Sequence, residues 1–157
     1  MLLTFRRSLL AALTVSCALA ATDAAAAAPR RAGQVCVPIL ARGVGQDLGG
    51  GATEATISVG GIDVGSTNAS LTTTGVSGTV ASFAGPLVFT SRAGTLTAQS
   101  TGFVDVTTGD FHTTATSLTG TGLLRGITGD VTLVGNENLK TGAFTETITG
   151  RLCGATR

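Results

Sequence analysis

Glu146 has the position that chemistry would choose. In Phe144-Thr145-Glu146-Thr147-Ile148, alternation sets it between Phe144 and Ile148 on the apolar side of a strand. A carboxylate turned into an apolar interior has a raised pKa and can serve as a general acid or base. A bulge at this point, or a place at an open barrel mouth reached by water, is the competing reading. Asp105 shares a face with Phe103 and invites the same comparison; if Val104 and Val106 are the core side instead, Asp105 lies outside. Arg125 alternates with Leu123 and Ile127. There it neutralises Glu146, or binds an anionic ligand group, or packs with its guanidinium on turn carbonyls. Glu146, Asp105 and Arg125 are thus the catalytic candidates, and Phe103, Phe144 and Ile148 are the candidates for touching a ligand. His112 is the only histidine. With no serine motif it supports no nucleophilic triad, and alone it makes no zinc site. Gly43-x-Gly45 and Gly120-x-Gly122 each meet their next glycine four residues later, with no helix following. That is not the dinucleotide fingerprint. No cofactor and no metal is expected.

The elements that must hold these residues are strands. No stretch outside the first residues has helical periodicity, and Thr and Gly dominate the chain. Threonine suits a pleated, half-buried surface and glycine supplies turns. Eight Thr-Gly pairs punctuate the sequence at irregular intervals, which disfavours a solenoid of fixed-length coils. Alternation suggests strands near residues 34–42, 52–59, 62–66, 69–74, 76–84, 87–92, 95–106, 111–118, 122–128, 130–135 and 143–153. Residues 43–51, with five glycines in nine, read as a loop. Allowing for fusions, about eight to ten strands are expected, an antiparallel barrel or sandwich.

The termini choose between these. Residues 1–28 have the form of a secretory signal peptide: Arg6 and Arg7, a short apolar run from Ser8 to Leu19, and small residues at Ala18–Ala20 and Ala24–Ala28. The apolar run is too short to span a bilayer. Its removal leaves 129 residues with two cysteines, Cys36 and Cys153. In an exported chain, periplasmic or extracellular, this pair reads as a disulfide. Parity agrees. Cys153 lies opposite Phe144, Ile148 and Leu152, and Cys36 lies opposite Val35, Val37 and Ile39, so both sit on the polar face. A bridge outside two adjacent terminal strands implies a closed sheet with no free edge. Residues 29–33 read as a flexible arm and 34–157 as the barrel domain. After cleavage, basic and acidic residues balance at eight each. Nucleic acid loses its electrostatic footprint. No membrane span remains, and an outer-membrane barrel would want the Trp and Tyr that the chain lacks.

The stretch Gly120-Thr-Gly-Leu-Leu-Arg125-Gly-Ile-Thr-Gly129, preceded by Thr108-Gly-Asp-Phe111 and closed by Gly150-Arg-Leu-Cys153, resembles the allene oxide cyclase and dirigent superfamily. It resembles in particular bacterial exported proteins with an allene-oxide-cyclase-like barrel. The likeness covers residues 87–153 and, by general character, 34–86. It implies a closed antiparallel eight-stranded barrel with an apolar cavity, a hydrophobic small molecule as partner, and homo-oligomers. Plant members use tyrosines and acidic residues in the cavity to steer cyclisation or radical coupling, and this chain has no tyrosine. Only Arg125 matches a motif residue. The expected function is a disulfide-stapled binding or structural module for an apolar small molecule. A cofactor-free cyclase or isomerase, or a surface assembly or adhesion module, stands as the alternative.

Overall fold

The computed structural model describes residues 34–155. The expected leader (1–28) and arm (29–33) lie outside them. Nine strands follow one another: β1 Gln34–Gly49, β2 Ala52–Val59, β3 Ile62–Ser70, β4 Thr72–Ser77, β5 Val80–Ser91, β6 Gly94–Asp105, β7 Asp110–Gly120, β8 Thr128–Glu137 and β9 Ala143–Ala155. Every pairing is antiparallel, in the order β3-β2-β1-β9-β8-β7-β6-β5, and β3 pairs with β5 to close an eight-stranded barrel. β4 continues the path of β3 beyond Leu71 and pairs only with β5, in the register that β3 uses (Ala69 with Leu87, Thr72 with Ala84). The break comes where the Leu71 N–H leaves the ladder and donates to the Gly51 carbonyl at 2.7 Å.

The seam between β1 and β9 runs unbroken from Gln34 opposite Ala155 to Gln46 opposite Ala143. It places Cys36 directly opposite Cys153, and the two are joined by a disulfide across 117 residues of sequence. The ends of the domain therefore meet, as the parity of the two cysteines requires.

Side-chain alternation fills the barrel with Ala41, Ala55, Ile57, Leu133, Phe144 and Ile148. Leu40 breaks the apolar pattern of β1 because it points outward and is exposed. Val35 and Val37 have the inward parity, yet both are exposed, lying at the very end of the β1–β9 seam.

Two expectations need correction. Residues 43–49 are not a loop; they complete β1. Gly43 and Gly45 face inward there, and side chains of the neighbouring strand occupy the space their missing Cβ atoms leave. Residues 122–127 are not a strand. After Ser117, held at φ 56°, β7 keeps β6 as its partner and gives up β8. The chain then makes a single 3-10 turn at Gly122–Leu124, anchored by the Leu123 N–H on the Ala93 carbonyl at 2.7 Å. Gly122 and Gly126 both have positive φ, a left-handed turn conformation that glycine adopts without strain.

Candidate binding site in the barrel interior

One packing rule shapes the interior. Phe144 lies over Gly45, Phe111 over Gly135 and Phe83 over Gly102, and in each case phenylalanine and glycine are direct cross-strand partners. A ring inside a narrow barrel needs an opposite residue without a side chain, and it covers the backbone that glycine bares. Glu146 follows the same rule with a carboxylate. Its partners on both sides are glycines, Gly43 of β1 and Gly135 of β8. A Cβ at Gly43 would stand 2.5 Å from the Glu146 carboxylate oxygen Oε1, so its absence is what admits the side chain.

Glu146 is 7% exposed. Burial pushes its carboxyl up to about 7, and desolvation is the only cause; no donor and no cation offsets it. It faces a cavity of about 290 Å³ at the end of the barrel that carries the β1–β2 and β8–β9 turns. Two further carboxylates line this chamber, Asp47 near the end of β1 and Glu137 at the end of β8. Glu137 is also raised, first by desolvation and then by repulsion from Asp47. Asp47 accepts the Gly49 N–H at 2.7 Å, which holds its carboxylate at the turn. Phe83, Phe111 and Phe144 supply the apolar wall, and among the described residues the lining contains no Lys, Arg or His.

A second cavity of about 170 Å³ fills the other half of the barrel. Its wall is aliphatic and aromatic, with Ile39, Ile57, Phe89, Leu96, Val131 and Ile148 among its residues. Val59 and Val64, both partly exposed, also line it. The two chambers meet at Thr67, Leu87 and Leu133, which line both.

The catalytic candidates separate. Glu146 alone points inward; the unbroken β1–β9 register rules out a bulge beneath it. Asp105 is corrected to the outer face, since Val104 is the residue that lines the chamber. Its carboxylate organises the β6–β7 turn, accepting from the Thr107 hydroxyl, from the Thr107 N–H at 2.8 Å and from the Thr79 hydroxyl at 2.9 Å. Those donors, led by the Thr107 hydroxyl, lower its pKa to about 2, the reverse of an interior acid. Arg125 is corrected as well: it is exposed, in the turn after β7, and lines neither chamber.

Among the ligand candidates, Phe144 lines the acidic chamber and Ile148 the apolar one. Phe103 is corrected to the outer surface, 47% exposed, where its ring stacks on His112 with centroids 5.6 Å apart. The parity that puts Asp105 outside puts Phe103 there too.

No family model matches this chain, and no curated protein or solved structure is significantly similar to it.

Sequence reasoning missed Asp47 and Glu137. Asp47 was hidden by the loop assignment of 43–51. Glu137 was assigned to a hairpin loop, because the polar run Asn136–Gly142 looks like turn from its first residue. Inward parity with Leu133 and Gly135 was the signal for it. Among the described residues no three His, Cys, Asp or Glu side chains are placed to hold a metal ion.

Proposed function

We propose that this domain is an exported binding module that holds an apolar small molecule inside its barrel. The observation that carries the reading is the double void: the interior is not closed by its own side chains but keeps two adjoining chambers of about 290 and about 170 Å³. Ligand sites in proteins are concave, largely apolar and carry a few converging polar groups, which describes this pair. The signal-like leader supports export, and the Cys36–Cys153 bridge suits an oxidising compartment. The eight-stranded barrel supports the resemblance to allene oxide cyclases and dirigent proteins that the Gly120–Gly129 stretch suggests. Fold alone does not assign chemistry.

A neutral, environment-sensitive probe such as N-phenyl-naphthylamine tests the proposal. Saturable fluorescence enhancement, one probe per chain, is expected, and Ala98→Phe, which fills the apolar chamber, should abolish it. Absence of saturable binding, or binding indifferent to Ala98→Phe in a variant that folds, would overturn the reading.

A second reading has one observation in its favour. A buried carboxyl brought to about 7 is poised to give or take a proton near neutrality. A cofactor-free cyclase or isomerase would use Glu146 in that role. Turnover of a bound substrate that disappears in Glu146→Gln while binding persists is the result that reading requires.

A further inference from the structure

We infer that the ligand this barrel takes is an organic cation, an apolar body bearing a protonated or quaternary nitrogen, with the nitrogen held in the acidic chamber. The inference rests on the binding reading above and narrows it.

Three features of the chamber converge on positive charge. Asp47, Glu137 and Glu146 reach it from three different strands, β1, β8 and β9, and among the described residues the lining has no basic side chain to balance them. Glu146 is the decisive member. It is 7% exposed and aimed into the void, and no hydrogen-bond donor or charge relieves its desolvation. Buried carboxylates are ordinarily paired, and here Gly43, directly across the ladder, opens the space for one that is not. An ammonium entering the chamber would supply the partner the protein omits. The walls add the third feature: Phe83, Phe111 and Phe144 line the same volume, and aromatic faces attract cations once water is excluded.

Among the described residues no three His, Cys, Asp or Glu side chains are placed to hold a metal ion, and the apolar walls suit a cation with a body of its own. That body has an apolar place to go, through the shared wall at Thr67, Leu87 and Leu133 into the second chamber. An anionic ligand would meet three carboxylates. A neutral one would leave Glu146 without a charged partner in the chamber.

The pairing should depend on pH. The residues facing Glu146 across β1 and β8 are glycines, Ser100 and Thr113 face the chamber from β6 and β7, and among the described residues the only other titratable groups in it are Asp47 and Glu137. None of the described residues there supplies a compensating positive charge. Cation affinity therefore rises with pH as Glu146 ionises near 7.

Calorimetric titration of the folded, disulfide-bonded chain with three isosteric probes tests this: a phenylbutyl ammonium, the phenylbutyl alcohol and phenylbutyrate. At about pH 8.5 the ammonium should bind roughly tenfold tighter than the alcohol, and the margin should shrink by about pH 5.5. Phenylbutyrate should be weakest. Glu146→Gln should remove most of the preference and its pH dependence. Glu137→Gln, at the half-exposed end of the chamber, should reduce the preference less. It and the wild-type pH profile keep the inference testable if Glu146→Gln does not fold. Equal binding of ammonium and alcohol would sink the cation and spare the binding module. A preference that survives in both variants would move the cation elsewhere. If none of these probes nor the neutral fluorophore binds, the module falls and the cation with it.

Discussion

The two halves of the barrel interior are built from the same strands with opposite electrostatics. Phe144, Glu146 and Ile148 are successive inward positions of β9, yet Phe144 and Glu146 line a chamber with three carboxylates, and Ile148 one walled by aliphatic and aromatic side chains. The apolar half also has the disulfide at its end of the β1–β9 seam. The acidic half is closed by hairpins and main-chain bonds between them, such as the Asp47 N–H on the Gly142 carbonyl at 2.8 Å and the Glu137 N–H on the Gly109 carbonyl at 2.9 Å. The difference shows how one sheet can be stabilised at one end and carry an electrostatic cost at the other. Burial and covalent closure stabilise one end, and the other carries a carboxylate whose burial works against folding.

The largest effect should come from the covalent closure. Replacing both Cys36 and Cys153 by serine frees a loop of 117 residues and should cost about 5 kcal/mol on the chain-entropy model. Urea unfolding at neutral pH measures it. Hydrogen exchange should show the apolar end of the β1–β9 seam opening first; equal opening at both ends would break the contrast.

Next is Ile148→Ala, which empties part of the apolar chamber and should cost about 2–5 kcal/mol at every pH. Glu146→Gln should do the opposite at the other end. The folded pKa of Glu146 is raised from 4.5 to about 7, so the folded protein retains a proton that the unfolded chain has released. Its contribution to stability is whole below about pH 4.5, is lost as pH rises through about 7, and stays lost above. The loss is at most roughly 3 kcal/mol. Glu146→Gln should therefore be stabilising above neutrality and nearly neutral in acid, as seen in thermal melts across pH. A Glu146→Gln variant with no such crossover would mean that the carboxylate is better solvated than its position implies.

Gly43→Ala is the finer probe. The added methyl would meet the Glu146 side chain and should cost about 1–3 kcal/mol, with displacement of the carboxylate visible as a shifted titration. The smallest effect belongs to Asp105, outside both chambers. Its carboxyl is held near 2, so the order it gives the β6–β7 turn is present above about pH 3.8 and disappears as pH falls through about 2. Asp105→Asn should loosen that turn in exchange measurements and leave the pH response of the chambers untouched.

Much of this architecture was legible in the residues. The inward face of β9 followed from Phe144, Ile148 and Leu152, and the meeting of the termini from the parity of two cysteines. The segments that misled are those where glycine acts as packing space. Gly43 and Gly45 look like loop until the side chains that lie over them, Glu146 and Phe144, are placed a hundred residues away in sequence. Arg125 and Phe103 misled for the converse reason. Alternation assigns a face only inside a strand, and it does not say which of two faces is the inner one when both carry apolar residues.

Local order of residues was enough to establish an all-β chain, the polar side of its first and last strands, and one carboxylate out of place among apolar neighbours. These are matters of period, and a pleated backbone imposes its period of two wherever it runs. That Asp47, Glu137 and Glu146 share a chamber, and that no base among the described residues joins them, was settled only by closure of the barrel. Which level a residue occupies around the ring depends on the register of strands distant in sequence, and that register exists only once the sheet has joined itself.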